Sequence, residues 1–444
     1  MLNKVIQLFL LFFLSFAWSQ KGFEIVNKKT KVAIPFKFIN NLIIIPVEVN
    51  GAKLNFLLDT GVSETLLFSL DETDQVKFEN IEKILFTGFG NKEPFEGFKS
   101  SNNKLVIKDY VDNNHTIYIV LDQEINISSQ VGFPINGIIG SHFFMNNPIE
   151  IKYKKNKIFV YDTIQNAFKK RKNNYSKLPI SIEESKPYIH AKVVFENKSE
   201  ALIAKLLIDT GNSDAIWLFK EKNTSITIPE KNYLDFLGKG FSGNIYGKRA
   251  RLELFELGEF KFKRPLMSFP DSIAFAGIQM VEKRVGSIGS EVMKRFNVIY
   301  DYPNSTIFLQ KNSNFIMPFN FNMSGLDIQH EGLQWVKEEY EENASSAQVS
   351  FESGGGNTVT RNLKYRFELK PSYSILSVRK DSPADLAGLK EGDVIVKINS
   401  NFAHNYTLQG IKDILRSEEG KTVTIEVNRK GVTIKTKFQL KSII

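Results

Sequence analysis

Two short segments of the sequence place an aspartate after an apolar run and before a threonine and a glycine. Asp59 follows Leu57-Leu58, and Asp209 follows Leu207-Ile208. The apolar residues anchor a strand in a core, and the glycine allows the tight turn that directs the carboxylate out of it. Two such carboxylates brought together cannot both ionise easily, so they hold one proton between them. The ionised member can take a proton from water, and the protonated member can polarise a carbonyl group.

Both segments belong to an internal repeat. The stretch 54–63 recurs as 204–213, and each copy follows another β-type run. Farther along, Ile138-Ile139-Gly140 matches Ser287-Ile288-Gly289. The glycine of the first triplet lies 81 positions after Asp59, and that of the second lies 80 positions after Asp209. Matched spacing over this length indicates two copies of one β-rich lobe. An active site that uses both aspartates therefore forms within one chain and requires no dimer.

The repeat also predicts the domain organisation. We expect a first lobe at 22–163, a linker at 164–177 and a second lobe at 178–312. The linker stretch is polar and basic, which is typical of a loop. Its densest basic cluster, 169–172, is more typical of a solvated linker than of a contact with nucleic acid or anionic lipid, so we expect no nucleic-acid partner.

These motifs resemble the retropepsin-like and pepsin-like aspartic proteases. That family shares a strand that ends in hydrophobic-hydrophobic-Asp-Thr-Gly, a flap hairpin, and a later hydrophobic-hydrophobic-Gly before a short helix. The resemblance covers about residues 40–312. It implies a mainly β fold of two pseudo-twofold-related acid-protease β-barrel lobes, with Asp59 and Asp209 as the catalytic pair. Water would attack the amide directly, so we expect no cofactor and no metal ion.

The same resemblance assigns supporting roles to the residues after each aspartate. The threonines would brace the loops and the glycines would supply the backbone geometry. The family usually has Ala or Ser after the glycine, whereas this chain has Val62 and Asn212. We expect the serines one place later either to supply the outer hydrogen bond to the carboxylate or to mark a different loop. The residues expected to support the active-site loops are Thr60, Gly61, Ser63, Thr210, Gly211 and Ser213.

Glycine-rich stretches between each Asp-Thr-Gly and the later glycine are the predicted flaps. Glycine lets a hairpin tip bend, and an aromatic side chain can lie over a bound peptide. For each single residue, an ordinary mobile loop is an equally good interpretation. Three of these glycines also spell a dinucleotide-binding fingerprint, but a strand-like alternation follows at 248–257 instead of a helix, which excludes that site. The flap candidates are Gly88, Phe89, Gly90, Gly240, Phe241 and Gly243.

The last third of the chain resembles the PDZ domains of exported bacterial proteases. A strand at 374–378 leads into a short helix at 383–387, which Ser382 caps and Gly388 ends. Such domains bind peptide ends or extended segments by adding a strand to a sheet edge. A PDZ domain that only packs on the protease lobes is the alternative.

The start of this domain has two interpretations. We expect the domain at 318–442 with an insertion at 330–370, and the alternative is a linker followed by a start near Lys364. The first interpretation places the chain's nearest equivalent of the family's carboxylate-binding loop at the start of the domain. The peptide-binding candidates are Gly325, Leu326, Asp327 and Ile328.

Composition excludes several kinds of site. The 444 residues include no cysteine, which rules out disulfides, thiolate zinc sites and cysteine nucleophiles. The five histidines are scattered, with no pair at helical metal-ligand spacing, so we expect no metal site. Hydrophobic residues make up 42% and charged residues 24%, a balance typical of globular proteins.

The N-terminus is typical of a secretory signal peptide at 1–19. Lys4 precedes a short apolar run, and Ala17-Trp18-Ser19 fits a cleavage site. The run is short for a spanning helix, which favours cleavage over a retained membrane anchor. No later segment is apolar enough to span a bilayer. We expect an exported protein of the periplasm or cell envelope, or a secreted one.

Two functions are consistent with these patterns. The first is an aspartic-type endopeptidase that cleaves a peptide or protein substrate and uses its PDZ domain for peptide binding or regulation. The second is a non-catalytic envelope protein that binds partner peptides through the PDZ domain and a protease-like cleft. Val62 and Asn212 motivate the second function, whereas retention of both Asp-Thr-Gly triplets favours the first.

Overall fold

Strands make up most of the protein, and they form two compact units. A computed structural model describes residues 22–70, 76–86, 95–120, 127–169, 174–196, 198, 200–240, 243–275, 279–341 and 363–444. The predicted signal peptide and four flap candidates, Gly88, Phe89, Gly90 and Phe241, lie outside these residues. The first unit contains the described parts of Met1–Ile125 and Pro134–Phe319 with Ile443–Ile444, and the second contains those of Asn126–Phe133 and Asn320–Ser442.

The first half of the first unit is built from short strands whose apolar residues alternate. Short 3₁₀ turns lie at Ser141–Phe144 and Tyr153–Lys155. In chain order the elements are β1 (Glu24–Ile25), β2 (Lys31–Pro35), β3 (Lys37–Ile39), β4 (Leu42–Val49), β5 (Ala52–Leu58), β6 (Thr65–Leu67), β7 (Ile81–Phe86), β8 (Phe95–Ile107), β9 (Tyr110–Val120), α1 (Ile127–Val131), β10 (Gly137–Ile139), β11 (Ile149–Lys152) and β12 (Lys157–Tyr161). Helix α1 belongs to the second unit.

The second half repeats this pattern. Its 3₁₀ turns lie at Lys220–Lys222, Ser272–Phe275 and Tyr302–Asn304. In chain order the elements are α2 (Ile164–Phe168), β13 (Ser176–Pro179), β14 (Ser181–Glu183), β15 (Lys186–Val194), β16 (Leu202–Ile208), β17 (Ile216–Leu218), β18 (Asn232–Gly240), β19 (Gly243–Arg251), β20 (Leu254–Leu257), β21 (Phe260–Lys263), β22 (Leu266–Pro270), β23 (Arg284–Ile288), α3 (Ser290–Met293), β24 (Phe296–Asp301) and β25 (Thr306–Lys311).

The two halves form one sheet each, and equivalent strands bury equivalent positions. Within the described residues, the first sheet has the order β1-β9-β6-β10-β5-β4-β8-β7 and the second the order β18-β19-β22-β17-β23-β16-β15-β20-β21. Strands β5 and β16 have the same sequence of buried and exposed positions, as do β6 and β17. The repeat seen in the sequence is therefore also a repeat of core positions, because alternate residues of a strand face opposite sides.

A third sheet joins the two halves. Its order is β13-β25-β24-β11-β12-β2, with three strands from each half. Antiparallel β11 and β24 meet at its centre, where Ile149 lies opposite Tyr300 and Ile151 opposite Val298. All four side chains are fully buried. Full burial of one such side chain contributes about 1.5–3 kcal/mol, so this sheet binds the halves into one unit.

The linker expected at 164–177 is more ordered than its composition indicates. Helix α2 begins after Thr163, whose side chain accepts a hydrogen bond from the Asn166 amide, and β13 begins at Ser176. Phe168 packs edge-on against Phe308, with ring centroids 5.1 Å apart. The loop-like prediction therefore differs from the structure around this aromatic contact, which sequence patterning does not reveal. Residues 170–173 lie outside the described part.

The second unit is a separate sheet with three short helices among its described residues, α1 and two that follow in the C-terminal part of the chain. Within the described residues the sheet order is β26-β27-β28-β30-β31, with β29 paired to β28. Residues 330–370, predicted as an insertion, are the outer part of the antiparallel β26–β27 hairpin where they are described. Ser382 caps the first of the two C-terminal helices as expected, because its side chain accepts from the Asp385 amide. The elements are β26 (Leu326–Glu341), β27 (Leu363–Val378), α4 (Pro383–Leu386), β28 (Val394–Ile398), β29 (Asn401–Phe402), α5 (Leu408–Leu415), β30 (Thr422–Arg429) and β31 (Val432–Gln439), with a 3₁₀ turn at Ala403–Asn405.

No helix among the described residues is long and apolar enough to cross a membrane.

A buried arginine is the main polar anchor after α3. Arg295 is 1% exposed, and its guanidinium lies 3.6 Å from the ring centroid of Phe319. It donates to the Glu291 carboxylate at 2.9 Å and to the carbonyls of Met317 and Pro318. A buried charge with this many acceptors fixes the chain that leaves the shared sheet.

Replacing Arg295 by alanine should lower the free energy of unfolding by about 2–4 kcal/mol, because the buried carbonyls lose their donor. Urea denaturation measures the change. Lys263→Ala, at an exposed position of β21, is the matched control and should change stability by less than about 0.5 kcal/mol. Equal effects of the two substitutions would contradict the anchoring role.

Candidate active site

Each aspartate lies at the end of a strand that pairs with a parallel neighbour. In the first half, Leu58 is in register with Ile139 of β10, and the Asp59 amide donates to the Ile139 carbonyl at 3.0 Å. In the second half, the Asp209 amide donates to the Ile288 carbonyl of β23 at 2.9 Å. The same local geometry therefore positions both carboxyl groups.

The glycines of the two later motifs are needed for close approach of backbone. A Cβ atom on Gly140 would lie 2.4 Å from the Ser63 carbonyl oxygen, and one on Gly289 would lie 2.2 Å from that of Asp214. Both distances are far below van der Waals contact. Only glycine lets these strands pass so close to the aspartate loops, which explains why the repeat retains it in both halves.

The two loops are joined by reciprocal hydrogen bonds between their threonines. The Thr60 amide donates to the Thr210 hydroxyl at 3.0 Å, and the Thr210 amide donates to the Thr60 hydroxyl at 3.0 Å. The Thr60 hydroxyl donates to the Ile208 carbonyl at 2.6 Å, and the Thr210 hydroxyl donates to the Leu58 carbonyl at 2.9 Å. Both side chains are fully buried, so each bond is made away from competing water.

This arrangement brings the two carboxyl groups close together. The negative charge of Asp209 is near enough to raise the pKa of Asp59. Each carboxyl also lies over the glycine of the opposite loop: a Cβ atom on Gly211 would be 2.1 Å from Asp59 Oδ2, and one on Gly61 would be 2.8 Å from Asp209 Oδ1. A side chain at either glycine would push the pair apart.

Backbone amides surround the pair. The Gly61 amide donates to Asp59 Oδ1 at 2.7 Å, and the Gly211 amide donates to Asp209 Oδ1 at 3.1 Å. The Asn212 amide adds a further bond to Asp209 Oδ1 at 3.0 Å. Hydrogen bonds donated to a carboxylate favour its ionised form.

Burial and mutual charge raise the pKa of both carboxyls above the ordinary range. For Asp59 the cause is burial followed by the charge of Asp209. For Asp209 burial also raises the pKa, but the nearby positive charge of Arg284 opposes it. The positive charge of Arg284 therefore favours the ionised form of Asp209 within a pair that shares one proton.

Ser63, one of the two serines expected to support the carboxylates, makes a different side-chain contact, and Ser213 is bonded through its backbone carbonyl. The Ser63 hydroxyl donates to the Glu184 carbonyl at 2.8 Å, and the Ser213 carbonyl accepts from the Asn41 side chain at 2.9 Å. In the second loop the amide of Asn212 itself supplies the additional bond to the carboxylate. In the first half, therefore, Ser63 does not supply the outer hydrogen bond to the carboxylate, and the loop differs from the family pattern.

Two of the six flap candidates are described, and both lie on paired strands. Strands β18 and β19 pair antiparallel up to Gly240 opposite Gly243, and β7 and β8 pair antiparallel up to Phe86 opposite Phe95. The other four candidates fall in 87–94 and 241–242, which lie outside the described residues.

A buried polar cluster links the second aspartate loop to its hairpin, and sequence reasoning missed it. Arg249 of β19 donates to Asp214 at 2.9 Å and to Asp235 of β18 at 2.7 Å. Asp214 also accepts from the Trp217 indole at 2.8 Å and from the Ser268 hydroxyl at 3.0 Å. The available signal was a carboxylate five positions after Asp209 and an arginine within an alternating strand. Their pairing depends on contacts distant in sequence.

The four peptide-binding candidates lie at the start of β26. Gly325 has a φ of +83°, a conformation that favours glycine. Leu326 and Ile328 are buried, and Asp327 accepts from the Ser377 hydroxyl at 2.8 Å. The two apolar side chains thus belong to the core of the second unit, and any ligand would meet this strand through its backbone edge.

Among the described residues, no three His, Asp or Glu side chains are grouped closely enough to hold a metal ion.

Comparison with known proteins identifies the second unit. Residues 374–429 match the PDZ domain family. The chain therefore contains a PDZ domain, as its sequence predicted. No curated protein matches the chain significantly.

One solved structure similar to the chain is that of the aspartic proteinase from Irpex lacteus. The similarity covers 65% of this chain and 100% of that chain, at 13% identity and a TM-score of 0.40. A TM-score this low does not establish a fold, so the function of the first unit is argued from its own geometry.

Replacing Thr210 by valine should lower the free energy of unfolding by about 1–3 kcal/mol, because the Thr60 amide loses its acceptor and the Leu58 carbonyl its donor in a buried site. Urea denaturation provides the measurement. Thr210→Ser keeps the hydroxyl and is the control. If serine destabilises as much as valine, the packing of the methyl group and not the hydrogen bonding joins the loops.

Proposed function

We propose that the chain is an aspartic-type endopeptidase. The observation that carries this proposal is the position of the Asp59 and Asp209 carboxyls. Each lies against the glycine of the opposite loop and accepts a hydrogen bond from the glycine amide of its own loop. Two carboxyls that share one proton provide a general base and a general acid at the same place. Hydrolysis of an amide by direct attack of water needs both groups and no covalent intermediate.

The positive charge of Arg284 supports one division of the two roles. Asp209, whose negative charge Arg284 favours, takes a proton from the attacking water. Asp59, whose pKa is raised by burial and by Asp209, donates its proton toward the carbonyl oxygen of the scissile amide. When the resulting tetrahedral species collapses, Asp209 gives the proton it took from water to the leaving nitrogen. A hydroxyl group of that species returns a proton to Asp59, and the C–N bond breaks. The pair then returns to its singly protonated state.

The proposed substrate class rests on the hairpin that each half contributes. Strands β18 and β19 form a hairpin in the second half, and β7 and β8 form one in the first half. Such hairpins suit an extended peptide, which can bond to their backbone edges. We therefore propose a peptide or unfolded protein as substrate. Export to the periplasm or cell envelope is part of the proposal and rests on the N-terminal 1–19 alone.

The alternative is a protein that binds peptides in this cleft without cutting them. Val62 and Asn212 motivated it, yet the Asn212 amide adds a hydrogen bond to the Asp209 carboxylate. That bond favours the ionised form that a general base requires, so Asn212 is compatible with catalysis.

Asp59→Asn and Asp209→Asn should each reduce hydrolysis of an unfolded protein substrate by at least about 10²–10⁴-fold, because each variant removes either the acid or the base. Release of new amino groups measures the rate. Asp381→Asn, at an exposed position of the second unit, is the control and should leave the rate unchanged. Wild-type protein that binds the substrate without cleaving it at any pH would support the binding function instead.

Arg284→Gln should move the acid limb of the pH profile of kcat/KM to higher pH by about one pH unit. The positive charge of Arg284 holds the pKa of Asp209 down, so its removal raises that pKa and the dyad becomes fully protonated at a higher pH. Arg284→Lys retains the charge and should leave the limb closer to wild type. A lower kcat without any movement of the limb would show that Arg284 is only structural.

A further inference from the structure

The PDZ domain has a groove with two walls, and both walls consist of described residues. One wall is β26, the edge strand of the sheet, and the other is helix α5. Leu408 and Ile411 on α5 are buried, and Lys412 lies one helical turn after Leu408. Among the described residues no strand pairs with the outer edge of β26. An edge of this kind is where an extended peptide can add a strand.

A segment from elsewhere in the chain already lies in this groove. Residues 127–133 stand in sequence between β9 and β10, but they pack in the second unit. Helix α1 of this segment lies against β26, and a Cβ atom on Gly132 would be 2.9 Å from Cβ of Leu408. Val131 is 3% exposed. The segment covers the edge as a helical turn and adds no strand to it.

A charged group of the groove also contacts the segment. The Lys412 ammonium donates to the Gln130 carbonyl at 2.9 Å. Burial, together with the nearby charge of Arg416, lowers the pKa of Lys412 to about 8, while Asp327 of β26 opposes the shift. Lys412 of α5 therefore contacts the segment and is also close enough to Asp327 of β26 to be influenced by its charge.

The chain after the segment is anchored independently. The Asn136 amide donates to the Asn55 carbonyl at 2.8 Å, and the Asn136 side-chain oxygen accepts from the Asn55 amide at 2.8 Å. Its carbonyl accepts from the Phe68 amide at 3.0 Å. Residues 127–133 can therefore leave the groove while β10, which begins at Gly137, keeps its register.

We propose that the groove between β26 and α5 is a peptide-binding site that residues 127–133 occupy in cis, and that an extended peptide with an apolar side chain binds by displacing them. The ligand gains the backbone edge of β26 and the apolar contact with Leu408. The cis segment reduces its apparent affinity by the fraction of molecules in which the groove is open. This site does not depend on the proposed peptidase activity, because binding alone reveals it.

The probe is a fluorescent peptide with the sequence of residues 126–135, whose binding to the full chain is measured by anisotropy. All proteins carry Asp59→Asn so that hydrolysis of the probe cannot contribute. Val131→Asp weakens the cis contact and should tighten probe binding at least about tenfold. Val432→Asp, at a position of β31 that is 63% exposed, is the matched control and should bind as the parent does.

Three further measurements test whether the probe binds in the groove. Gly132→Val, which crowds Leu408, should open the groove as Val131→Asp does and serves if that variant fails to fold. Adding Leu408→Asp to either variant should abolish binding. A probe with aspartate in place of its valine should not bind. The proposal is wrong if both opened variants, folded by circular dichroism, bind the probe no more tightly than the parent.

Discussion

The reciprocal hydrogen bonds between Thr60 and Thr210 are the constraint on which the first unit depends. They tie two loops that are 150 residues apart, in a place where no water competes. The proximity of two carboxyl groups is unfavourable because each raises the pKa of the other. The threonine bonds, the glycine amides and the shared sheet hold the pair together, and the molecule accommodates the repulsion by keeping one proton on it.

The internal repeat explains how one chain builds such a site. Strands β5 and β16 bury the same positions, and β10 and β23 accept from the aspartate amides in the same way. Charge acts on this symmetry, since the positive charge of Arg284 lowers the pKa of Asp209 against the effect of burial. In the proposed mechanism this charge favours the ionised form at one of two equivalent backbone positions.

The second unit shows a different use of chain connectivity. Its sheet, caps and turns form from local sequence, as Ser382 at the start of α4 illustrates. Its groove, however, contains residues 127–133, which come from a distant part of the chain. Lys412 and Leu408 contact that segment directly. A binding site that is filled in cis responds to competition, so the affinity of any ligand reflects the stability of the internal contact as well.

The sequence by itself determined the mainly β character, the PDZ domain and the doubled aspartate motif, because strand alternation, helix caps and turn glycines depend on residues that are neighbours in the chain. It also indicated a repeat through matched spacing. Only the tertiary structure decided that each aspartate carboxyl lies against the glycine of the opposite loop, that the Ser63 hydroxyl bonds to the Glu184 backbone carbonyl, and that Arg249 pairs with Asp214. The same holds for the order in 164–168 and the position of 127–133. These features join residues far apart in the chain, and no local pattern encodes which distant partner a side chain will meet.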